Sequence, residues 1–432
     1  MHFWINTHHL LLFAVAVLYS YQMGYMILVV LHDVRQKLRK KTSREPEKPV
    51  VPHRFAAIIS ARNEENVIGQ LLDTINNQKY PEDMRHAIVI ADNCTDNTAA
   101  VARAHGATVL ERFNPNQVGK GYALNYAFRR IAEQFGDSYF DAYIIIDADN
   151  LLEENYFAEM NKTFSKGYRI MTSYRNSKNF DENWIAAGYA IAFLREAKFL
   201  NNARMMLKTS CAVSGTGFLV ASEVIRERAG WNYHLLTEDI EFTVDSVIRG
   251  ERIGYCGTAM LYDEQPTTFQ QSWNQRMRWS RGFYQIVLKY GKTLSRGVVH
   301  PEKKQNRFTC FDLTMTVIPM IMVTIALLLT DLAMLSYSIF GPVFMPHLMT
   351  EMLHSLTSWV TTYYMALFCM GALTMVSEWK KIKCPLYKRV WYTITYPLFM
   401  MTYIPISVAA LFGKVEWKPI QHRVAKTLDE VR

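Results

Sequence analysis

Leu10 to Leu31 is almost without exception apolar or aromatic, a run about as long as the ~20 residues that carry a helix across a bilayer. No basic residue precedes it and no small-residue cleavage site is evident, so it reads as an anchor and not as a cleaved leader. Arg35, Lys37, Arg39, Lys40, Lys41 and Arg44 come next. Basic flanks stay on the cytoplasmic side, which puts the amino terminus outside and the chain after Asp33 inside. Phe308–Tyr337 and Leu356–Val376 are further candidate crossings, joined by Ser338–Ser355, which lacks Lys and Arg and is therefore expected outside. Val390–Phe412 is long enough to cross, although Pro397 and Pro405 interrupt it and basic residues lie on both sides. A crossing that leaves the tail outside is the expectation there, with re-entry or a path along the interface as alternatives.

Between these runs lies a chain of different character. Of 432 residues, 50% are hydrophobic and 20% charged, so the protein is neither wholly membrane nor wholly soluble. The net charge of +9 gathers in basic segments beside apolar ones, which points to an anionic membrane face and not to nucleic acid. Six cysteines without CxxC or zinc spacing read as free thiols of a reducing compartment. The expected organisation is an anchor over 1–33, a basic linker over 34–52, a cytoplasmic α/β domain over 53–290, membrane and interface helices over 291–412, and a tail over 413–432.

From Phe55 to about Tyr262 strand and helix signals alternate, the mark of a largely parallel sheet. Phe55–Ser60, Ala87–Ala91, Ala107–Glu111 and the run ending at Asp147 read as strands. Asn66–Asn77, Thr237–Ile248 and Phe269–Tyr290 read as helices, and Asn183–Leu207 as a helix suited to a membrane interface or to plain surface packing.

The chemistry-bearing residues sit where such strands end. Ile144-Ile145-Ile146 is followed by Asp147-Ala148-Asp149-Asn150, two carboxylates one residue apart beyond a buried strand. Carboxylates there suit Mg²⁺ or Mn²⁺, although Asp and Asn also make ordinary turns. Asp92 ends a strand in the same manner, with Asn93 and Thr95 able to cap the next helix. Lys120 stands between Gly119 and Gly121, without the full spacing of a P-loop. Glu238 and Asp239 open a helix, where amide dipoles welcome carboxylates. Gln275-Arg276-Met277-Arg278-Trp279 fits Gln-x-x-Arg-Trp, a pattern also open to simple snorkelling at an interface.

In order, Asp92, Asp147-Ala-Asp149, Thr237-Glu-Asp239 and Gln275-x-x-Arg278-Trp279 resemble the D, DxD, TED and QxxRW series of membrane-embedded family 2 glycosyltransferases, the cellulose, hyaluronan and poly-N-acetylglucosamine synthases and their relatives. The resemblance covers about Phe55 to Gly282 and implies a GT-A fold, a Rossmann-like mixed sheet flanked by transmembrane helices. It implies that Asn63, Glu64 and Asp92 hold the uridine of a UDP-sugar, with Lys120 and Gln275 near the same donor. Asp149, helped by Asp147, would hold Mg²⁺ or Mn²⁺. Asp239, beside Glu238, would be the general base, Arg278 would stabilise the departing diphosphate, and Trp279 would stack on the acceptor. Gly215, Thr216 and Gly217 match the small-residue acceptor loop loosely.

The leading expectation is a processive, inverting, metal-dependent synthase. It would extend a β-linked glucan-type polysaccharide from UDP-glucose, or less readily UDP-N-acetylglucosamine, and thread it outward. The alternative is a single transfer from a UDP-sugar to a lipid acceptor. A growing polysaccharide, the bilayer and a second copy or partner subunit are the expected partners, and nucleic acid is not.

Overall fold

The computed structural model describes residues 2–39, 50–318, 320–340, 346–413, 415, 422 and 424–432. Lys40, Lys41, Arg44 and residues 45–49 of the linker lie outside the described residues.

The central sheet has eight strands: β1 (Phe55–Ala61), β2 (Arg85–Asp92), β3 (Thr108–Arg112), β4 (Ala142–Asp147), β5 (Leu151–Leu152), β6 (Ile170–Ser177), β7 (Phe218–Ala221) and β8 (Ile253–Asp263). Their order is β3-β2-β1-β4-β7-β6-β8-β5. The first half is parallel, β1 pairing with both β2 and β4 and β2 with β3. β7 runs antiparallel to its neighbours β4 and β6, so the sheet is mixed where the alternation predicted a largely parallel one. Successive residues of a strand point to opposite faces, and both faces of β1 are buried. Ala56 and Ile58 enter one apolar cluster, Phe55, Ala57 and Ile59 another.

Parallel pairing sends β1, β2 and β4 the same way, so their carboxyl ends share one edge. Ser60 lies in register with Asp147, and Ala61 with Ala91 beside Asp92. β2 and β4 flank β1 on opposite sides, the topological switch point where open sheets leave a crevice. Gly121 opens the Lys120–Phe135 helix where a Cβ would stand 2.0 Å from the Tyr233 carbonyl oxygen, so only glycine lets that helix approach the loop behind it.

Outside the sheet, one helix spans His2–Arg39, longer than the apolar run alone. The expected crossing Phe308–Tyr337 is instead two helices, Arg307–Val317 and Met320–Phe340, with Pro319 between them in the sequence. Asp312 in the first piece is 2% exposed and accepts a hydrogen bond from Arg204 Nε at 2.7 Å and from the Tyr25 hydroxyl at 2.9 Å. That piece belongs to the domain.

Among the described residues, Met352–Ser377 and Leu386–Phe412 are long and apolar enough to cross a membrane by length and composition. The second keeps to the domain along its length. Lys388 Nζ and the Tyr392 hydroxyl donate to the Asp181 carbonyl at 2.7 and 3.1 Å. The fully buried Arg276 donates to the Phe399 carbonyl at 3.1 Å and to Thr402 Oγ1 at 2.6 Å, and Tyr284 reaches the Ser407 carbonyl at 3.1 Å. Beyond it, His422 meets Glu64 of the sheet domain. The structure thus holds this candidate span, and His422 after it, against the domain. Buried Tyr392, Tyr396 and Phe399 fix one face to the domain, while Leu386, Val390, Trp391, Ile394 and Leu398 stay exposed on the other.

Candidate active site

Asp92, Asp147, Asp149, Glu64, Lys120, Gly215, Glu238, Asp239, Gln275, Arg278 and Trp279, all named from the sequence, line one cavity of about 820 Å³. Three others do not. Asn63, at φ 58°, gives its side chain to Thr95, accepting from its N–H at 2.8 Å. Thr216 Oγ1 accepts from the Asp147 N–H at 2.9 Å and donates to Asn150, so it braces the Asp147–Asn150 turn from behind. Gly217 lies 2.0 Å from the Leu261 side chain at its would-be Cβ. Asn63, Thr216 and Gly217 thus stand behind the residues that line the cavity.

The carboxylates in this cavity divide by partner. Asp92, 5% exposed, pairs with Arg112, which the sequence reading missed. Asp147 pairs with Lys120, whose Nζ also donates to the Gly215 carbonyl at 2.7 Å. Burial lowers the Lys120 pKa, but Asp147, Glu238 and Asp239 outweigh it and leave the pKa raised. Asp149, 2% exposed, accepts from the Glu264 N–H at 3.0 Å and from the Asn150 amide at 3.3 Å. Asp263 ends β8 and pairs with Arg175, and burial pushes its carboxyl up to about 6.

Glu238 and Asp239 follow Thr237, which makes no capping hydrogen bond. Asp239 Oδ2 accepts from the Gly215 N–H at 2.6 Å. Burial raises the Asp239 pKa against the Ile240 and Gly215 amides and the charges of Lys120 and Arg278. Glu238 is pushed up to about 7 by burial and by Asp239. The amide dipoles at the helix start are real, yet burial is the larger effect, and it makes the carboxylate more basic.

On the Phe269–Val299 helix, Arg278 Nη1 donates to the Leu236 carbonyl at 3.3 Å. Trp279 is half-buried, edge-on to Tyr189 at 5.7 Å and to Phe193 at 6.2 Å. Gln275 Oε1 is buried without a partner among the described residues, an acceptor suited to a ligand hydroxyl. His422 was also missed. Its Nδ1 lies 2.9 Å from Glu64 Oε1, and although burial lowers its pKa, Asp149, Glu64 and Glu264 raise it to about 10.

Residues 52–282 match the family model described as "Glycosyltransferase like family 2". The chain belongs to that family. The transferase is 27% identical to the probable glycosyltransferase YdaM of Bacillus subtilis, over 55% of this chain and 57% of the relative. It is 26% identical to a beta-monoglucosyldiacylglycerol synthase of Synechocystis, over 58% and 52%. With a poly-beta-1,6-N-acetyl-D-glucosamine synthase of Staphylococcus aureus the figures are 22% over 54% and 55%. The chain thus spans about half the length of the curated relatives it matches. Among solved structures, the mannosyltransferase PcManGT from Pyrobaculum calidifontis, in complex with GDP-Man and Mn²⁺, aligns with a TM-score of 0.54 at 16% identity, over 92% of this chain and 98% of that one. The transferase domain is GT-A-like, a mixed α/β sheet.

Proposed function

We propose that this transferase moves a hexose from a UDP-sugar, with inversion, to a hydroxyl of a lipid acceptor at the membrane surface. The observation that carries the lipid reading is the course of the cavity. It runs without interruption from Asp149 and Asp239 to Met23, Met315, Leu367 and Met370, on the helices His2–Arg39, Arg307–Val317 and Pro346–Ser377. An acceptor with its head at Asp239 has its hydrocarbon there, and apolar walls favour that placement. The Synechocystis relative, a beta-monoglucosyldiacylglycerol synthase, supports it.

In this reading the acceptor hydroxyl oxygen attacks the anomeric carbon, its proton passes to the Asp239 carboxylate, and the bond from that carbon to the diphosphate oxygen breaks. The Gly215 N–H aims Asp239, and burial raises its basicity. Lys120 and Arg278, both on the cavity wall, meet the charge that develops on the diphosphate. Asp149 and Asp147 supply hard oxygen donors to a divalent cation; no group of three His, Cys, Asp or Glu among the described residues does so alone. Two carboxylates fit a cation whose remaining ligands are water and substrate phosphates. When bound, Mg²⁺ or Mn²⁺ adds neutralisation of the leaving diphosphate.

Extension of a polysaccharide is the second reading, favoured by Gln275, Arg278 and Trp279 on the cavity wall. Membranes given radiolabelled UDP-glucose decide between them. A product extracted into organic solvent supports the lipid acceptor; labelled material retained at the chromatographic origin refutes it.

A further inference from the structure

A second cavity, of about 100 Å³, lies between β6, the loop after Met352–Ser377 and the segment 426–431. Four lysines line it, Lys178, Lys381, Lys383 and Lys426, against two acids, Asp181 and Glu430. The Glu430 carboxylate is already engaged, accepting from the Thr427 N–H at 2.6 Å and the Thr427 hydroxyl at 2.9 Å. Lys381 has its own counter-ion in Glu378, at 2.9 Å.

Among the described residues, the other three ammonium groups donate to main-chain carbonyls alone. Lys178, 4% exposed, donates to Asp149 O at 2.6 Å; Lys426 donates to Lys178 O at 3.1 Å; Lys383 donates to Glu430 O at 2.9 Å. Among the described residues no carboxylate pairs with any of them. Glu430 acts at longer range on Lys383 and Lys426, yet four lysines against two acids leave the lining net positive, and each ammonium carries three donors. A positive lining of this kind suits an anion.

We propose that this cavity binds a phosphate group, supplied by the headgroup of an anionic phospholipid. The volume suits one phosphate and excludes a nucleotide. The cavity lies just beyond the end of the apolar helix Met352–Ser377, and the exposed Leu386, Tyr387 and Val390 follow it. Basic pockets at such a junction hold lipid headgroups. The site touches the donor pocket twice. Lys178 holds the carbonyl of Asp149, and Lys426 belongs to the segment whose Val424 N–H donates to Glu264 at 3.1 Å. Filling it secures both, so it tightens donor binding. This inference rests on the membrane and UDP-sugar reading above.

The test uses the full chain. Wild type, Lys383→Gln with Lys426→Gln, and the control Lys292→Gln with Lys303→Gln are reconstituted in phosphatidylcholine with or without phosphatidylglycerol. Each is also titrated in detergent with inorganic phosphate. Phosphatidylglycerol should raise the thermal unfolding midpoint of wild type and control by ~2–4 °C and tighten UDP binding about fivefold. The Lys383 and Lys426 variant should show neither shift. If inorganic phosphate alone produces both shifts, the anion site stands and free phosphate is its source. A Lys383 and Lys426 variant that responds like wild type, or a wild type indifferent to both probes, overturns the proposal. Failure of every protein to bind UDP refutes the donor assignment instead, and the midpoints still decide the anion site.

Discussion

Asp239→Asn separates the chemistry from the architecture that holds it. The substitution keeps the shape, and an amide oxygen can still accept from the Gly215 N–H where Oδ2 now does, at 2.6 Å. What disappears is the proton acceptor. A positioned base contributes roughly 10²–10⁴-fold, so turnover should fall by at least about a hundredfold, or ~2.7 kcal/mol of barrier. UDP binding should stay near wild type, because Lys120 and Arg278 remain and lose a negative neighbour. Asp92→Asn should behave oppositely. It leaves Arg112, with a side chain 6% exposed, without its carboxylate, and breaking a buried pair costs roughly 3–5 kcal/mol. Its weakened UDP binding must therefore be read beside its melting temperature. The sign of the pH dependence is equally determined. The base works deprotonated and burial raises its pKa, so kcat/KM should climb as pH rises through a range above that of ordinary carboxylates. The assay is turnover on purified, folded variants beside calorimetric UDP titration. Near-normal turnover of Asp239→Asn, or UDP loss as deep as that of Asp92→Asn, refutes Asp239 as the base.

Chelation by EDTA should abolish activity, Mg²⁺ or Mn²⁺ should restore it, and Asp149→Asn should resist rescue; full activity of that variant in chelator would remove the metal. Arg276→Ala should lower stability by about 2–4 kcal/mol, because it empties a fully buried site and removes the donor that the Phe399 carbonyl and Thr402 Oγ1 share; unchanged thermal unfolding would show that the contact is dispensable. Single cysteines at Ser377 and Ala425 should both resist an impermeant thiol reagent in intact cells while one at Ser355 reacts; labelling at Ala425 as well as at Ser355 would show that Leu386–Phe412 crosses.

The first half of the sheet was legible because its strands are apolar runs that stop at an acid, Asp92 or Asp147. β6 was not, since Thr172, Ser173, Asn176 and Ser177 are buried and polar, with partners such as Tyr156 and Lys381 that only the fold supplies. Within the site, motif residues were legible where strand ends or a helix start presented them. For Thr216 and Gly217 the sequence leaves two roles open, because small residues that admit a ligand and small residues that admit a neighbouring side chain look alike. Asp263 carried a usable signal, an acid at the end of a strand. His422 carried none, for it meets Glu64 across 358 residues of chain.

The choice of acceptor turns on what a transferred chain would touch beyond Asp239. Each glycan hydroxyl drawn into an apolar passage loses water and needs a replacement partner. Several polar residues that line the upper cavity are engaged already: Ser20 Oγ donates to the Val17 carbonyl at 2.8 Å and Thr316 Oγ1 to the Asp312 carbonyl at 2.9 Å. The Tyr19 hydroxyl already donates to the Ile318 carbonyl at 3.0 Å, and Gln22 accepts from Arg195 at 2.6 Å. Around them stand Met23, Ala366, Leu367 and Met370. Leu386–Phe412 stays against the domain through Arg276 and Tyr284 and adds Met400 and Tyr403 to the cavity wall. A polymer would have to be desolvated there residue after residue, whereas one hydrocarbon chain meets no such cost. The same geometry gives Gln275 Oε1, unpartnered near the base, a single hydroxyl-bearing head to receive. These features together favour one transfer to a lipid over repeated extension of a glycan.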